Sequence, residues 1–325
     1  MISKRIGLAF IILLAINVST IPLIYLTYWR SSFEKTIIIP KNYGTKQIAS
    51  LLADELLLPM PQLFAILAKS IALYHNLPLQ AGEYNFPLGC NVLDIINKFL
   101  LGDVVIHKIT IPEGYTLHQI IDALEEAHAL IGKPDLNKVS EGYLLPETYY
   151  YTYETTRDNL LSKMHAAQVR VWQEYYENRS LALDLSQHEI LTIASIVEKE
   201  AKIKEELPVI AGVYLNRLKI DMPLQADPTI IYAVTKGRNG EGVNIAEQKS
   251  ILDSPYNTYM YKGLPPTPIA NPGKAAIIAT LNPNIHDYLY FVADRDSGAH
   301  LFASNYKQHL ANINKVKILD RNKKK

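Results

Sequence analysis

Two acids separated by a single residue, Glu198 and Glu200, sit inside the most apolar helical pattern of the chain, SQHEILTIASIVEKEA (Ser186 to Ala201). Ser186 followed three residues later by Glu189 is a capping box, which starts a helix with its first N–H groups satisfied. Ile190, Ile193, Ala194, Val197 and Ala201 recur at helical spacing, and Leu191 and Ile196 widen the stripe until only Thr192, Ser195 and Lys199 are left for water. Such a helix is expected to be buried, so a carboxylate on it must be hydrogen-bonded, paired with a cation or kept partly protonated. A protonated, poorly solvated carboxyl is a general acid; one paired with a nearby Lys or Arg is only a strut. Glu198 falls beside Leu191 and Ala194 at one edge of the stripe and Glu200 at the opposite edge. Periodicity does not choose between them.

The other polar clusters lie on loops and helix ends. EGYLLPETYYY (Glu141 to Tyr151) puts two carboxylates and four tyrosines on a loop or edge strand, with Glu147 as a second acid or a capping residue. A helix is expected from Val209 to Leu218, with Pro208 in its first turn and Asn216-Arg217 near its end. MPLQADPTIIYA (Met222 to Ala233) is a polar turn running into an apolar segment. SPYNTYMYKGLPPTPIANPG (Ser254 to Gly273) is a long loop punctuated by Pro and Gly, and loops of that length in a compact domain usually carry function. Tyr288 to Ala293 has a buried-strand pattern and, with His300 to Phe302, suggests a hairpin. Twenty-one tyrosines against seven phenylalanines suit polar ligands such as sugars, which meet an apolar ring face and a hydroxyl together.

Composition narrows the choices. A chain of 325 residues can hold two or three compact units, and a formal charge of +1 offers no broad footprint for nucleic acid. The single cysteine, Cys90, excludes an intrachain disulfide and a cysteine-based zinc site, and no HExxH or comparable cluster exists, so no metal and no cofactor are expected. GRNGEG (Gly237 to Gly242) lacks the Lys-Ser/Thr of a phosphate loop and reads as a turn. Ile6 to Trp29 is an uncharged apolar run bounded by Lys4-Arg5 and Arg30, with Tyr25, Tyr28 and Trp29 at one end as an aromatic belt. As a helix it would measure about 36 Å, enough for a hydrocarbon layer of about 30 Å. No small-residue cleavage site follows, so residues 6–29 are expected to be a retained transmembrane anchor. Residues 1–5 would then lie in the cytoplasm and the rest of the chain outside.

Past that run lies an internal echo. Residues 37–52 (IIIPKNYGTKQIASLL) align without a gap to residues 109–124 (ITIPEGYTLHQIIDAL), sharing Ile37/Ile109, Pro40/Pro112, Tyr43/Tyr115 and Gln47/Gln119 among others. Each copy reads as strand, Pro turn and amphipathic helix. Between them, Ala81 to Phe86 reads as a strand, and Val92, Ile95, Ile96 and Phe99 as a helical face. Short strands alternating with helices give an α+β class.

Taken together, ASIVEKEA (Ala194–Ala201), YLNRL (Tyr214–Leu218), MPLQADPTIIYA, SPYNTY (Ser254–Tyr259), GLPPTPIANPG (Gly263–Gly273) and YLYFVAD (Tyr288–Asp294) resemble the MltG (YceG-like) family of membrane-anchored endolytic murein transglycosylases. Thr267 departs from the small glycine the family often has there. The resemblance implies a LysM-like module over 37–105; with the pattern of elements and charges, a second small α/β module and connector over 106–185, a mixed α/β catalytic domain over 186–318 and a basic tail over 319–325 are expected. It also identifies Glu198, the first acid of the VEKE run, as catalytic. The implied reaction cuts the β-1,4 bond between MurNAc and GlcNAc in peptidoglycan and leaves 1,6-anhydro-MurNAc ends. Candidates for holding the sugar are Gln225, Asp227, Tyr256, Asn257, Thr258 and Tyr259, with Glu147, Asn216 and Arg217 in secondary roles. Expected partners are glycan strands, the cytoplasmic membrane and peptidoglycan synthases (penicillin-binding proteins), with the catalytic domain in the periplasm. Two other readings stay open: a muramidase that hydrolyses the same bond with Asp227 or Glu147 as second carboxylate, and a non-catalytic glycan-binding scaffold.

Overall fold

The computed structural model describes residues 20–21, 24–25, 28–56, 58–238, 242–294 and 297–323. The chain forms two compact units: one runs up to His107 and includes Tyr150–Glu154, the other comprises Lys108–Tyr149 and everything from Thr155. Most of the expected span 6–29 lies outside the described residues, and among the described residues no helix is long and apolar enough to cross a membrane. Tyr25 is buried in the core of the first unit and Trp29 packs partly against that core, while Tyr28 is exposed. Of the three rings expected to form a belt at a membrane surface, two therefore rest on protein.

The first unit begins with β1 (Lys35–Ile39), whose alternation buries Ile37 and Ile39. Helix α1 (Thr45–Leu56) buries Ile48, Ala49, Leu52 and Leu56, and α2 (Pro61–His75) opens on proline and stops at Asn76 in the left-handed conformation. Strand β2 (Gly82–Phe86) returns antiparallel to β1 with Lys35 opposite Phe86 and Ile39 opposite Gly82. Helix α3 (Val92–Leu101) has a complete capping box, Asn91 with Asp94, and ends at left-handed Gly102. Tyr84, Phe86 and Phe99 are fully buried together, with the rings of Tyr84 and Phe99 edge to face at 4.7 Å.

The chain then enters β3 (Ile106–Thr110) and α4 (Leu117–Glu126), capped by Thr116 and Gln119. Both halves of the internal echo thus fold as strand, Pro turn and helix, although β1 pairs with β2 and β3 with β5 (Thr148–Thr152). Short β4 (Leu130–Ile131) pairs parallel with β6 (Thr155–Thr156). Residues 108–149 and 155–185 fall into the second unit with the elements that follow.

The core of the second unit is formed by α5 (Arg157–Tyr176), α6 (Gln187–Glu200), α7 (Leu207–Lys219) and α8 (Asp227–Thr235), joined further on by the tenth helix. Between α8 and α10 lie α9 (Ile245–Ile251) and the long loop; α10 spans Lys274–Leu281. Helix α6 is buried on every side from Ile190 to Val197. Ile193, Ile196 and Val197 pack with Ile210, Ala211 and Tyr214 of α7, and Ile190, Leu191 and Ala194 pack with Ala167, Val171, Ile277 and Leu281. Fully burying a side chain of the Leu or Ile class is worth roughly 1.5–3 kcal/mol, so α6 is held by its neighbours rather than by intrinsic helix propensity. The expected hairpin is present as β7 (Tyr290–Ala293) antiparallel to β8 (His300–Ala303), and α11 (Tyr306–Lys323) packs across both strands.

Candidate active site

The last turn of α6 carries both acids. Positions two apart on a helix differ by about 200° in azimuth, so they leave the helix in opposite directions. Glu198 turns to the loop at the start of α10, where its Oε2 accepts a hydrogen bond from Gly273 N at 2.9 Å. Lys199 Nζ reaches Gly114 O at 3.3 Å, and Lys204 is paired with Glu113 at 2.7 Å. Burial raises the Glu198 carboxyl above the usual range and Glu113 adds to this, while the Gly273 N–H and the two lysines hold it back.

Glu200 turns inward to a cavity of about 260 Å³. The walls are Glu200 from α6, Tyr214 and Arg217 from α7, Gln225 and Asp227 at the start of α8, and Tyr259 from the long loop. Tyr290 and Phe291 of β7 and Tyr306 and His309 of α11 complete them. Its Oε1 accepts from Tyr214 Oη at 3.0 Å. Burial above all, with the negative charge of Asp227 in addition, pushes the Glu200 carboxyl up to about 7; the Tyr214 donor, Arg217 and Lys249 oppose that rise. Near neutral pH this carboxyl can both give and take a proton.

The other walls are held in place by their own bonds. Arg217 donates from Nε to Leu289 O at 2.7 Å and from Nη1 to Leu224 O at 2.5 Å, tying α7 to the neighbouring loops. Gln225 has φ of 48°, an uncommon conformation for a residue with a Cβ, and donates its N–H to Thr258 O at 3.0 Å. Asp227 Oδ1 accepts from Tyr259 Oη at 2.5 Å and is paired with Lys249 at 3.1 Å. His309 stacks on Tyr290 at 5.1 Å, its Nδ1 is buried without a partner among the described residues, and burial and Arg217 lower its pKa.

Of the residues expected from sequence, Gln225, Asp227, Tyr259 and Arg217 come together in this cavity; Glu198 lies outside its walls. Asn257 and Thr258 are 0% and 1% exposed and serve as internal struts. Asn257 Nδ2 donates to Lys249 O and Leu252 O, and Thr258 Oγ1 accepts from Ala226 N. Tyr256 packs on Tyr232 and bonds Thr267 through its hydroxyl at 2.7 Å. Asn216 Nδ2 donates to His286 O and Tyr288 O, a structural pairing. Glu147 is exposed and contributes its carbonyl to Ile111 N. Among the described residues no group of His, Cys, Asp and Glu is arranged to hold a metal ion.

A third acid raised by burial is Glu141, which the sequence offers only as one of two carboxylates on a loop, with no role attached. Glu141 Oε1 accepts from Leu117 N and Asn271 Nδ2, both at 2.9 Å, and Oε2 from Tyr232 Oη at 3.3 Å. Burial pushes this carboxyl up to about 7 against those three donors. Asn271 completes the knot by accepting from Gly142 N and Leu144 N, both at 3.0 Å.

Residues 37–315 match the profile of the YceG-like family. An endolytic murein transglycosylase of Streptococcus pneumoniae serotype 2 (strain D39) is 33% identical over 323 residues, covering 86% of this chain and 57% of that protein. One from Bacillus subtilis (strain 168) is 32% identical over 302 residues, covering 83% of this chain and 81% of the relative. The crystal structure of a yceG-like protein from Listeria monocytogenes superposes with a TM-score of 0.50 at 30% identity, over 86% of this chain and 99% of that one. The chain spans less than two thirds of the length of the streptococcal relatives.

Proposed function

The chain belongs to the YceG-like family, and from that premise we propose that it is a lytic transglycosylase of peptidoglycan, with Glu200 as its single acid–base group. The observation that carries the proposal is a buried carboxyl, protonated up to about pH 7, on the wall of a cavity that also presents an amide, an Asp–Tyr pair and stacked rings. Scission of a glycosidic bond needs a proton for the departing oxygen, because an alkoxide is a poor leaving group. Glu200 gives that proton to the oxygen leaving C1 of MurNAc as the C1–O bond breaks. The 6-hydroxyl of the same sugar then bonds to C1 and returns its proton to Glu200. No water is consumed, the acid is regenerated, and the product end is 1,6-anhydro-MurNAc. Gln225 and Tyr259 are assigned to the sugar's N-acetyl and hydroxyl groups, and Tyr290 to stacking.

The geometry favours Glu200 over Glu198, which is engaged by the backbone of Gly273 and lies outside the cavity. A hydrolytic muramidase would need a second carboxylate free to activate water. Asp227 is the one candidate in the cavity, and its Oδ1 is committed to Tyr259 and Lys249. The remaining assignments extend the same reading: residues 6–29 anchor the chain in the cytoplasmic membrane, 37–105 form a LysM-like glycan-binding module, and synthases are the protein partners. Incubating the full chain with uncrosslinked glycan and weighing the products by mass spectrometry tests the core of it. Anhydro ends, abolished by Glu200→Gln and retained in Glu198→Gln, are expected. Reducing ends, or full cleavage by Glu200→Gln, would overturn it.

A further inference from the structure

Resting on the assignment of Glu200 as the acid, a second residue enters the reaction without touching the sugar. Tyr214 sits one element away on α7, fully buried, its ring edge to face with Phe291 at 5.9 Å. Its hydroxyl lies 3.0 Å from Oε1 of Glu200, and no other acceptor among the described residues is bonded to it. A buried phenol keeps its proton, and burial raises this one well above the ordinary tyrosine value. The Tyr214 O–H therefore donates to Oε1. An oxygen of a neutral carboxyl that accepts such a bond is the carbonyl-like one, so the acid's own proton belongs on Oε2.

We propose that Tyr214 is a positioning residue for the proton transfer, occupying Oε1 of Glu200 so that Oε2 alone carries the proton delivered to the leaving oxygen and recovered from the 6-hydroxyl. In the second half of the reaction the same bond stabilises the carboxylate left behind, since a hydrogen bond to an ionised acceptor is stronger than one to a neutral acceptor.

The surroundings say what else could set this acid. Arg217 comes from α7, Asp227 from α8 and Lys249 from α9, and these are the charges that act on it. Tyr259 of the long loop, Tyr290 of β7, and Tyr306 and His309 of α11 also line the cavity. Replacing Tyr214 by Phe alters none of them. It removes one donor and leaves the ring to pack against Phe291.

The test is the pH dependence of kcat/KM for the full chain in detergent on uncrosslinked glycan. With the donor gone the carboxylate is less stabilised and the acid form persists to higher pH. The alkaline limb for Tyr214→Phe should therefore move up by about one pH unit. At pH 5.5, where the acid is protonated in both proteins, kcat should fall on the order of tenfold with KM unchanged, chiefly because the carboxylate formed as the proton leaves has lost its donor and also because the proton is no longer confined to one oxygen. Replacing Tyr214 by 3,5-difluorotyrosine, which keeps the ring and makes the hydroxyl a stronger donor, should move the limb the other way. The fluorinated protein also serves if the Phe variant does not fold. Ile193→Val loosens the same core away from the cavity, without touching the hydroxyl, and should leave the limb in place. Limbs that coincide for the Phe, fluorinated and unaltered proteins would overturn the proposal while leaving Glu200 standing if Glu200→Gln is inactive. Activity retained in Glu200→Gln would overturn both.

Discussion

Replacing Glu141 by Gln should stabilise the protein above neutral pH. In the folded chain Glu141 is pushed up to about 7 from 4.5 by burial. Between those two values the folded state holds a proton that the unfolded state has lost, so stability falls as pH rises through the window and is lowest above it. At about 1.4 kcal/mol per pH unit the displacement comes to about 3 kcal/mol. Gln cannot ionise; its carbonyl can still accept from Leu117 N and Asn271 Nδ2, and its amide can face Tyr232 Oη, which turns to accept. Near pH 4 the variant and its parent should be about equally stable; at pH 8 the variant should be ahead by about 3 kcal/mol. Urea unfolding followed by Trp172 fluorescence, in a Trp29→Phe background that leaves one tryptophan, reports on the unit concerned. Glu200, also pushed up to about 7, keeps some pH dependence in both proteins, so the difference between them is the quantity to read. A gap that does not change between pH 4 and 8, or a variant less stable at pH 8, would show that the Glu141 knot works best with a charged carboxylate.

Three further outcomes are expected. The kcat/KM of the unaltered chain should fall about tenfold per pH unit above about 7, as the Glu200 acid form is lost; a flat profile to pH 9 would remove Glu200 from the mechanism. Gly142→Ala should destabilise by about 2–3 kcal/mol in the same urea assay, because a Cβ there would lie 2.4 Å from Pro268 Cγ on a backbone with φ of 87°; an unchanged midpoint would contradict that packing. Gln225→Gly should gain about 1 kcal/mol by relieving the left-handed conformation while glycan cleavage falls at least tenfold. Loss of both stability and activity would mean that the side chain is structural.

What could be read from sequence was whatever depends on near neighbours. The capping boxes at Ser186 and Thr116, the proline that opens α7 and the strand–turn–helix echo are set within a few residues, and each formed as expected. The choice between Glu198 and Glu200 could not be read, because both lie at the edges of one apolar stripe and their surroundings come from elements up to 109 residues further on, such as His309. Asn257 and Thr258 misled for a related reason. Polar residues in an aromatic loop look like ligand-binding groups until the backbone amides and carbonyls they satisfy are visible. Tyr214 and Glu141 lie in stretches that stand out in the sequence, YLNRL and EGYLLPETYYY, but nothing local distinguishes the one from helix packing or the other from a turn residue.

Ser195 binds the long loop to the acid-bearing helix. Its hydroxyl donates to Thr192 O at 2.7 Å and accepts from Ile269 N at 3.0 Å, wholly buried, one turn and a half before Glu200. A rivet of this kind, seconded by the grip of Glu198 on Gly273, restrains independent travel between Glu200 and residues 269–273. If the proposed reaction holds, any breathing that admits or releases its polymer comes from the facing side of the cavity, where Tyr306 and His309 ride on the chain's last described helix.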